Sequence, residues 1–332
     1  MIDRRGILAG GGAAIAMAAT PHRVLAGGGT AGGSLKVASL KFGSLSWLIE
    51  TIRAEGLEAA TGFKLDVLDV ATNQAGPVAL LAGEADVIVS DWTWALRQRA
   101  MGDKVKFAPY SAALGSLMVA ADSPIRSLGD LKGKKLGVAG TAIDKSWILL
   151  RAYAKKTLGE DIAEITTPVF GAAPLMTEEI RSGRIDAVLN FWTFAARLQG
   201  AGFRQIVSMA DVLKGLEVDP APALVGYIWK EETAQRKAKE LLAFLEAARR
   251  GNAVLKTSDP AWERIRGLVK PATDGEFTAI RDYYRAGVPG PWGKAETASA
   301  EKLVGLLLEL GSKDVMGSGT RFDADLFHTA TG

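Results

Sequence analysis

Leu81–Ala95 reads LAGEADVIVSDWTWA, and Arg181–Ala195 reads RSGRIDAVLNFWTFA. The two stretches align without a gap at an offset of 100 residues. Gly83/Gly183, Asp86/Asp186, Trp92/Trp192, Thr93/Thr193 and Ala95/Ala195 are identical, and Gly102 and Gly202 follow in the same register. In each copy a helical run ends, glycine turns the chain, aspartate opens a short apolar strand, and Trp-Thr stands at the strand's carboxyl end. Such a repeat predicts two similar lobes. In open α/β sheets the carboxyl ends of the strands are where ligands bind, so facing lobes would place a Trp-Thr pair on either side of one cleft. The alternative is that both tryptophans pack into their own lobe cores, where most tryptophan surface is buried.

The surrounding pattern agrees with an α/β class. Strands are expected at Leu35–Leu40, Lys64–Val70, Ala85–Val89, Lys104–Ala108, Gly115–Ala121 and Lys135–Ala139. Helical spacing falls at Ser46–Ala60, from Pro77, at Trp92–Met101, at Ser127–Leu131 and at Asp144–Thr157. Alternation of this kind implies mostly parallel sheets flanked by helices. A length of 332 residues suits two ordinary domains. Asp219-Pro220-Ala221-Pro222 suits a stiff, extended connection. The stretches Lys230–Gly251 and Ala298–Leu310 are helical, and their charges read as solvated faces.

Residues 1–26 read as an export signal. Arg4-Arg5 precedes an apolar run from Gly6 to Ala19, and Val24-Leu25-Ala26 offers a cleavage site. Asp3-Arg4-Arg5-Gly6-Ile7-Leu8 resembles the twin-arginine motif, with Asp3 and Ile7 departing from the usual residues. The run is shorter than a membrane span. Residues 27–34 read as a glycine-rich linker. Removing the signal takes away three basic residues and one acidic residue, so the formal charge of +3 falls toward neutral. That leaves no electrostatic footprint for nucleic acid.

Composition excludes much chemistry. There are 0 cysteines and 2 histidines, His22 in the signal and His328 near the chain end. No thiolate nucleophile, disulfide or lipidated cysteine can form, and the usual metal and acid–base residue is scarce. No enzymatic activity, cofactor or metal is expected. A catalyst using only carboxylates such as Asp91 and Asp144 is the competing reading.

Ala121–Val138 reads ADSPIRSLGDLKGKKLGV. Together with the Gly83…Asp86 turn and strand, it resembles periplasmic substrate-binding proteins of ABC importers, in the sulfonate, taurine and nitrate family that also has thiamin-precursor relatives. The resemblance runs from about Leu35 to about Ile206. It implies a two-lobed periplasmic-binding-protein fold, type II-like, with a ligand cleft between the lobes and two crossovers forming a hinge that closes on ligand. By that resemblance, lobe 1 comprises 35–122 plus about 222–332, and lobe 2 about 123–221. It also implies a soluble, unlipidated, monomeric periplasmic protein, whose partners are a small-molecule ligand and an inner-membrane permease and ATPase. Pyrimidine-synthesising relatives use a cysteine-rich segment and histidine, which this chain lacks. A binding subunit serving a sensor or a dehydrogenase system is a further alternative.

Candidate ligand residues follow from the two-lobe reading as loops after strands. Lobe 1 supplies Phe42, Ser44 and Trp47, then Asn73 and Gln74, then Asp91, Trp92 and Thr93. Lobe 2 supplies Thr141, Ala142, Asp144 and Lys145, then Asn190, Phe191, Trp192 and Thr193. Ser44 and Asp144 can equally serve as helix caps. Helix N-termini with hydroxyls and lysines favour a small organic anion such as an aliphatic sulfonate. The aromatic residues with Asp91 favour an amine or a pyrimidine-like ring, and they make nitrate a poor fit.

Overall fold

The computed structural model describes residues 33–41 and 43–328, with backbone alone at 311–315. The expected export signal, most of the expected linker and Phe42 lie outside the described residues. The strands are β1 (Ser34–Leu40), β2 (Lys64–Val70), β3 (Val87–Asp91), β4 (Val105–Ser111), β5 (Ser116–Val119), β6 (Lys135–Ala139), β7 (Thr167–Gly171), β8 (Ala187–Asn190), β9 (Arg204–Ser208) and β10 (Val225–Lys230). They form two five-stranded sheets, ordered β2-β1-β3-β10-β4 and β7-β6-β8-β5-β9. In the first, β1 pairs in parallel with β2 and β3, and β10 runs antiparallel between β3 and β4. In the second, β6 is parallel to β7 and β8, and β5 runs antiparallel between β8 and β9. The sheets therefore share one plan, and the antiparallel strand of each directly follows a crossover from the other.

The repeated residues explain the shared plan. Gly83 and Gly183 both take left-handed backbone, φ 76 and 70, where a side chain would be strained. Each then hands over to an aspartate doing one job. The Asp86 carboxylate accepts the Lys36 backbone N–H at 2.8 Å, and the Asp186 carboxylate accepts that of Lys135 at 2.8 Å. In return the Asp86 and Asp186 N–H groups donate to the carbonyls of Lys36 and Lys135. Each aspartate thus locks the register of the neighbouring parallel strand at its amino end.

Two boundaries differ from the sequence reading. The expected helix Ser46–Ala60 is split into Ser44–Ala54 and Leu57–Thr61, because Gly56 adopts φ 64 between them. The first crossover lies at Ala112–Gly115, ahead of the expected boundary at 122/123, since β5 already belongs to the second sheet. The Asp122-Ser123-Pro124 segment sits inside lobe 2. There the Arg204 guanidinium donates to the carbonyls of Ala121, Ser123 and Ile125. The return passes between Ser208 and Val225 through a helix at Met209–Gly215.

The helical tail does not belong to lobe 1 alone. Helix Ala238–Thr257 buries Leu241, Phe244 and Leu255 in one core with Leu35, Val37, Leu48 and Ile52 of lobe 1. Helix Asp274–Ala286 packs closely on Trp192–Gly200 of lobe 2. There the buried Glu276 carboxylate receives Arg181 at 3.0 Å and Arg197 at 3.3 Å. The last helix, Lys294–Met316, packs against Lys145–Leu158 of lobe 2 and Trp92–Ala100 of lobe 1. Its Lys302 pairs with Glu217 at 3.0 Å. With Lys156, this cation draws the exposed Glu217 carboxyl down to about 2. The tail is thus a brace along both lobes. His328 of the tail lies on the β4 edge, where its backbone N–H donates to the Phe107 carbonyl at 2.7 Å.

The brace relies on a close helix crossing. A Cβ at Gly200 would stand 2.4 Å from the Glu276 Cα and 2.5 Å from the Gly275 carbonyl oxygen. In an open helix Gly→Ala gains about 1 kcal/mol, but here the backbone cannot yield. Gly200→Ala should instead destabilise the protein by about 1–3 kcal/mol, read as a lower denaturant midpoint. An unchanged or raised midpoint would contradict the close crossing.

Candidate functional site

At the carboxyl ends of the first sheet the structure holds a cavity of about 170 Å³. Its walls come from the tips of β1 and β2 (Leu40, Val70), the start of helix Ser44–Ala54, Thr72, Asn73, Tyr110, Ser111 and Val225. Lobe 2 contributes Trp192. Among the described residues no lining side chain carries a formal charge. Polarity comes from hydroxyls and from a helix start. Gly43 caps Ser44–Ala54 without any side-chain hydrogen bond; its carbonyl accepts the Ser46 N–H at 3.1 Å, and the N–H groups ahead of Ser46 have no partner within the helix. The Tyr110 hydroxyl donates to Ser44 Oγ at 2.9 Å, which leaves the Ser44 proton able to point into the cavity. Burial pushes the Tyr110 phenol well above its ordinary pKa, so it stays protonated and a donor. Tyr227 stands beside it at 5.3 Å between ring centres, protonated for the same reason.

The two tryptophans of the repeat diverge. Trp92 is 0% exposed, and its indole N–H donates to the Ala223 carbonyl at 3.1 Å. It clamps the return crossover and, unlike the cleft position expected for it, does not line this cavity. Trp192 projects from lobe 2 against lobe 1, edge-on to Trp47 at 6.2 Å and to Tyr284 at 6.4 Å. The same local sequence gives two environments because different segments cross in front of each strand tip.

Ser44 and Asn73 line the cavity with Trp192. Trp47 is buried beneath it, against Trp262 as well as Trp192. Gln74 turns to a separate outer groove with Leu68 and Val78. Asn190 is buried, donating to the Ala173 carbonyl at 3.2 Å and to Thr177 Oγ1 at 2.9 Å, so its amide is consumed within lobe 2. Thr93 is buried and donates to Asp91. Thr141 and Ala142 are exposed in the loop after β6 and, like Phe191 and Thr193, do not line this cavity. Tyr110 and Ser111 escaped the sequence reading, because β4 was expected to end at Ala108. The continued run of apolar and aromatic residues from Val105 through Phe107 and Ala108 to Tyr110 was the available signal.

Asp91 and Asp144 cap helices, accepting from the N–H groups of Trp94 and Ser146 at 2.9 Å each. Between them Lys145 of lobe 2 reaches Asp91 of lobe 1 at 3.5 Å, an ion pair across the cleft. The two carboxyls shift in opposite directions. Burial raises both, but for Asp91 the Lys145 charge with the Thr93 and Trp94 hydrogen bonds outweighs it, and its pKa falls. For Asp144 burial wins and the pKa rises. A depressed carboxyl contributes stability above its unfolded pKa and loses it as pH falls through the folded value. Lys145→Met should therefore cost about 1 kcal/mol at pH 7, with the gap from the parent closing below about pH 4. Stability measured against pH checks this, and a gap independent of pH would contradict the cross-cleft pair.

Among the described residues no group of acidic or histidine side chains could hold a metal, and no helix is long and apolar enough to cross a membrane. The chain resembles solved structures with this arrangement of two sheets. The periplasmic aliphatic sulphonate binding protein SsuA of Escherichia coli superposes with a TM-score of 0.66 at 16% identity, over 83% of this chain and 92% of that one. The alkanesulfonate-binding protein SsuA of Xanthomonas axonopodis pv. citri, bound to MOPS, gives 0.61 at 16%, over 87% and 98%. The desulfurization enzyme DszB gives 0.58 at 16%, over 86% and 96%. No curated protein matches the sequence. The fold is thus the two-lobed periplasmic-binding-protein fold. The NMT1/THI5 like family description matches residues 55–260, more than half of the chain, and the protein belongs to that family.

Proposed function

We propose that the protein is a periplasmic solute-binding protein that delivers a small organic anion of the sulfonate kind to an ABC importer. The observation that carries the reading is the start of helix Ser44–Ala54. It opens without a side-chain cap into a cavity that also holds the Ser44 and Tyr110 hydroxyls and no carboxylate. Unpartnered N–H groups at a helix start favour an anion without a counter-charged side chain. The two SsuA proteins of the same fold, one an aliphatic sulphonate binding protein and one solved bound to MOPS, support that ligand class. DszB has the fold and is an enzyme, so fold alone does not decide against catalysis. Binding is the simpler reading, because the cavity presents protonated hydroxyls and an aromatic ring and no acid–base pair.

One observation favours the second reading, an amine or a flat ring. Asp91 and Asp144 flank Lys145 beside the cleft, and the Trp192 ring offers a stacking face.

Thermal melting against sulfonates, taurine, nitrate, carboxylates, amines and pyrimidines separates these readings. A ligand at 100 times its Kd adds about 2.7 kcal/mol. Sulfonates should shift the melting temperature. A shift confined to amines or rings would overturn the anion reading, and a flat panel would overturn the binding reading. Two substitutions localise the site. Trp192→Ala should weaken the responding ligand at least tenfold. Trp92→Ala should cost about 3–5 kcal/mol of stability through the cavity it leaves. Equal losses of affinity in both would contradict the division of roles.

A further inference from the structure

We infer that the carboxyl edge of the second sheet is an apolar shelf for the body of the ligand, and that the preferred substrate is amphiphilic, with a small polar head and an alkyl or aryl body of several carbons. This rests on the binding reading above and deepens it. Soluble proteins rarely gather exposed large apolar side chains at one edge, and where they do the patch marks a binding surface. Ile143, Phe170, Leu175 and Phe191 are 51%, 38%, 52% and 41% exposed. All four stand at the strand tips of lobe 2. Ile143 lies in the loop between β6 and helix Lys145–Leu158, Phe170 is the penultimate residue of β7, Leu175 is in the first turn of helix Ala173–Arg181, and Phe191 directly follows β8.

Neighbours in the chain tie this edge to the cleft at both ends. Phe191 precedes Trp192, which lines the cavity. Ile143 is two residues from Lys145, which reaches across to Asp91 of lobe 1. The middle is held by sheet pairing, with Phe170 opposite Val138, Gly171 opposite Ala139, and the Gly140 N–H donating to the Gly171 carbonyl at 2.8 Å. The shelf is also built to be firm. Phe170 packs edge-on against the buried Trp147 at 5.8 Å. A Cβ at Gly171 would meet Met176 Cε at 2.8 Å and Leu175 Cδ2 at 3.3 Å, so glycine there lets the first helical turn lie on the strand tip.

The other lobe differs in character. In its wall of the cleft the hydrogen-bonding groups of Ser44, Thr72, Asn73, Tyr110 and Ser111 stand among Leu40, Val70, Val89 and Val225. Its exposed apolar side chains lie elsewhere: Leu81 and Met101 at the far ends of their helices, and Val78 in the outer groove. Hydrogen-bonding groups on one lobe facing apolar side chains on the other match a ligand with two ends. A compact, fully polar solute would leave the shelf uncovered.

The test is calorimetric titration of the protein with methane-, butane-, hexane- and octanesulfonate, and with the matching carboxylates and primary amines. Each methylene laid on the shelf should tighten Kd about fourfold, the about 0.8 kcal/mol of a buried CH₂. Ile143→Ser and Leu175→Ser should flatten that dependence, while Met101→Ser, on the far side of lobe 1, should not. Binding of methanesulfonate with no gain along the series would overturn the shelf and leave the anion reading standing. A chain-length gain among amines alone would keep the shelf and overturn the anion reading. No binding in any series would overturn both.

Discussion

The placement of the Trp192 ring organises this molecule. It leaves its own lobe and packs edge-on into an aromatic group formed by Trp47 of lobe 1 and Tyr284 of the tail, with Trp262 behind. Aromatic pairs at these separations contribute beyond the area they bury. The contact ties lobe 2 to lobe 1 and to the tail at one point, and the cavity opens beside it. The Glu276 carboxylate, held by Arg181 and Arg197, and the Gly200–Gly275 crossing fix the helix that Trp192 begins. The wall that lobe 2 offers to the cavity is therefore supported from behind by the tail.

Charge is arranged so that the cavity itself stays neutral. Formal charges near the cleft include the Asp91–Lys145 pair and the Asp144 cap, and neither lines the cavity. Inside, helix geometry and protonated hydroxyls supply the polarity. A neutral lining asks a ligand to give up water without forming a desolvated ion pair, whose cost can exceed its Coulombic gain.

Much of the fold was legible in the sequence because the repeat carries backbone necessity. Gly83 and Gly183 are required for left-handed turns, and Asp86 and Asp186 for a carboxylate that fixes the adjacent strand. Those demands act over a few residues and leave a readable pattern. The site was less legible because it depends on what crosses the strand tips. Nothing in Trp92-Thr93 or Trp192-Thr193 distinguishes a ring bonded to Ala223 from one lining the cavity. The difference comes from a return segment some 130 residues away in the chain. The first crossover was misplaced for a related reason. Pro124 reads as a break, yet Arg204 staples that segment inside lobe 2, and the true crossing at Ala112–Gly115 carries no proline.

The central claim, that lobe 1 holds a ligand head group at the start of helix Ser44–Ala54 beneath Trp192, is tested most directly by a crystal structure of the protein with its best-binding ligand. The account predicts ligand oxygens about 2.7–3.2 Å from the backbone nitrogens of the helix's first turn or from the Ser44 and Tyr110 hydroxyls, with Trp192 against the ligand. Density for the ligand elsewhere, with this cavity unchanged, would contradict it.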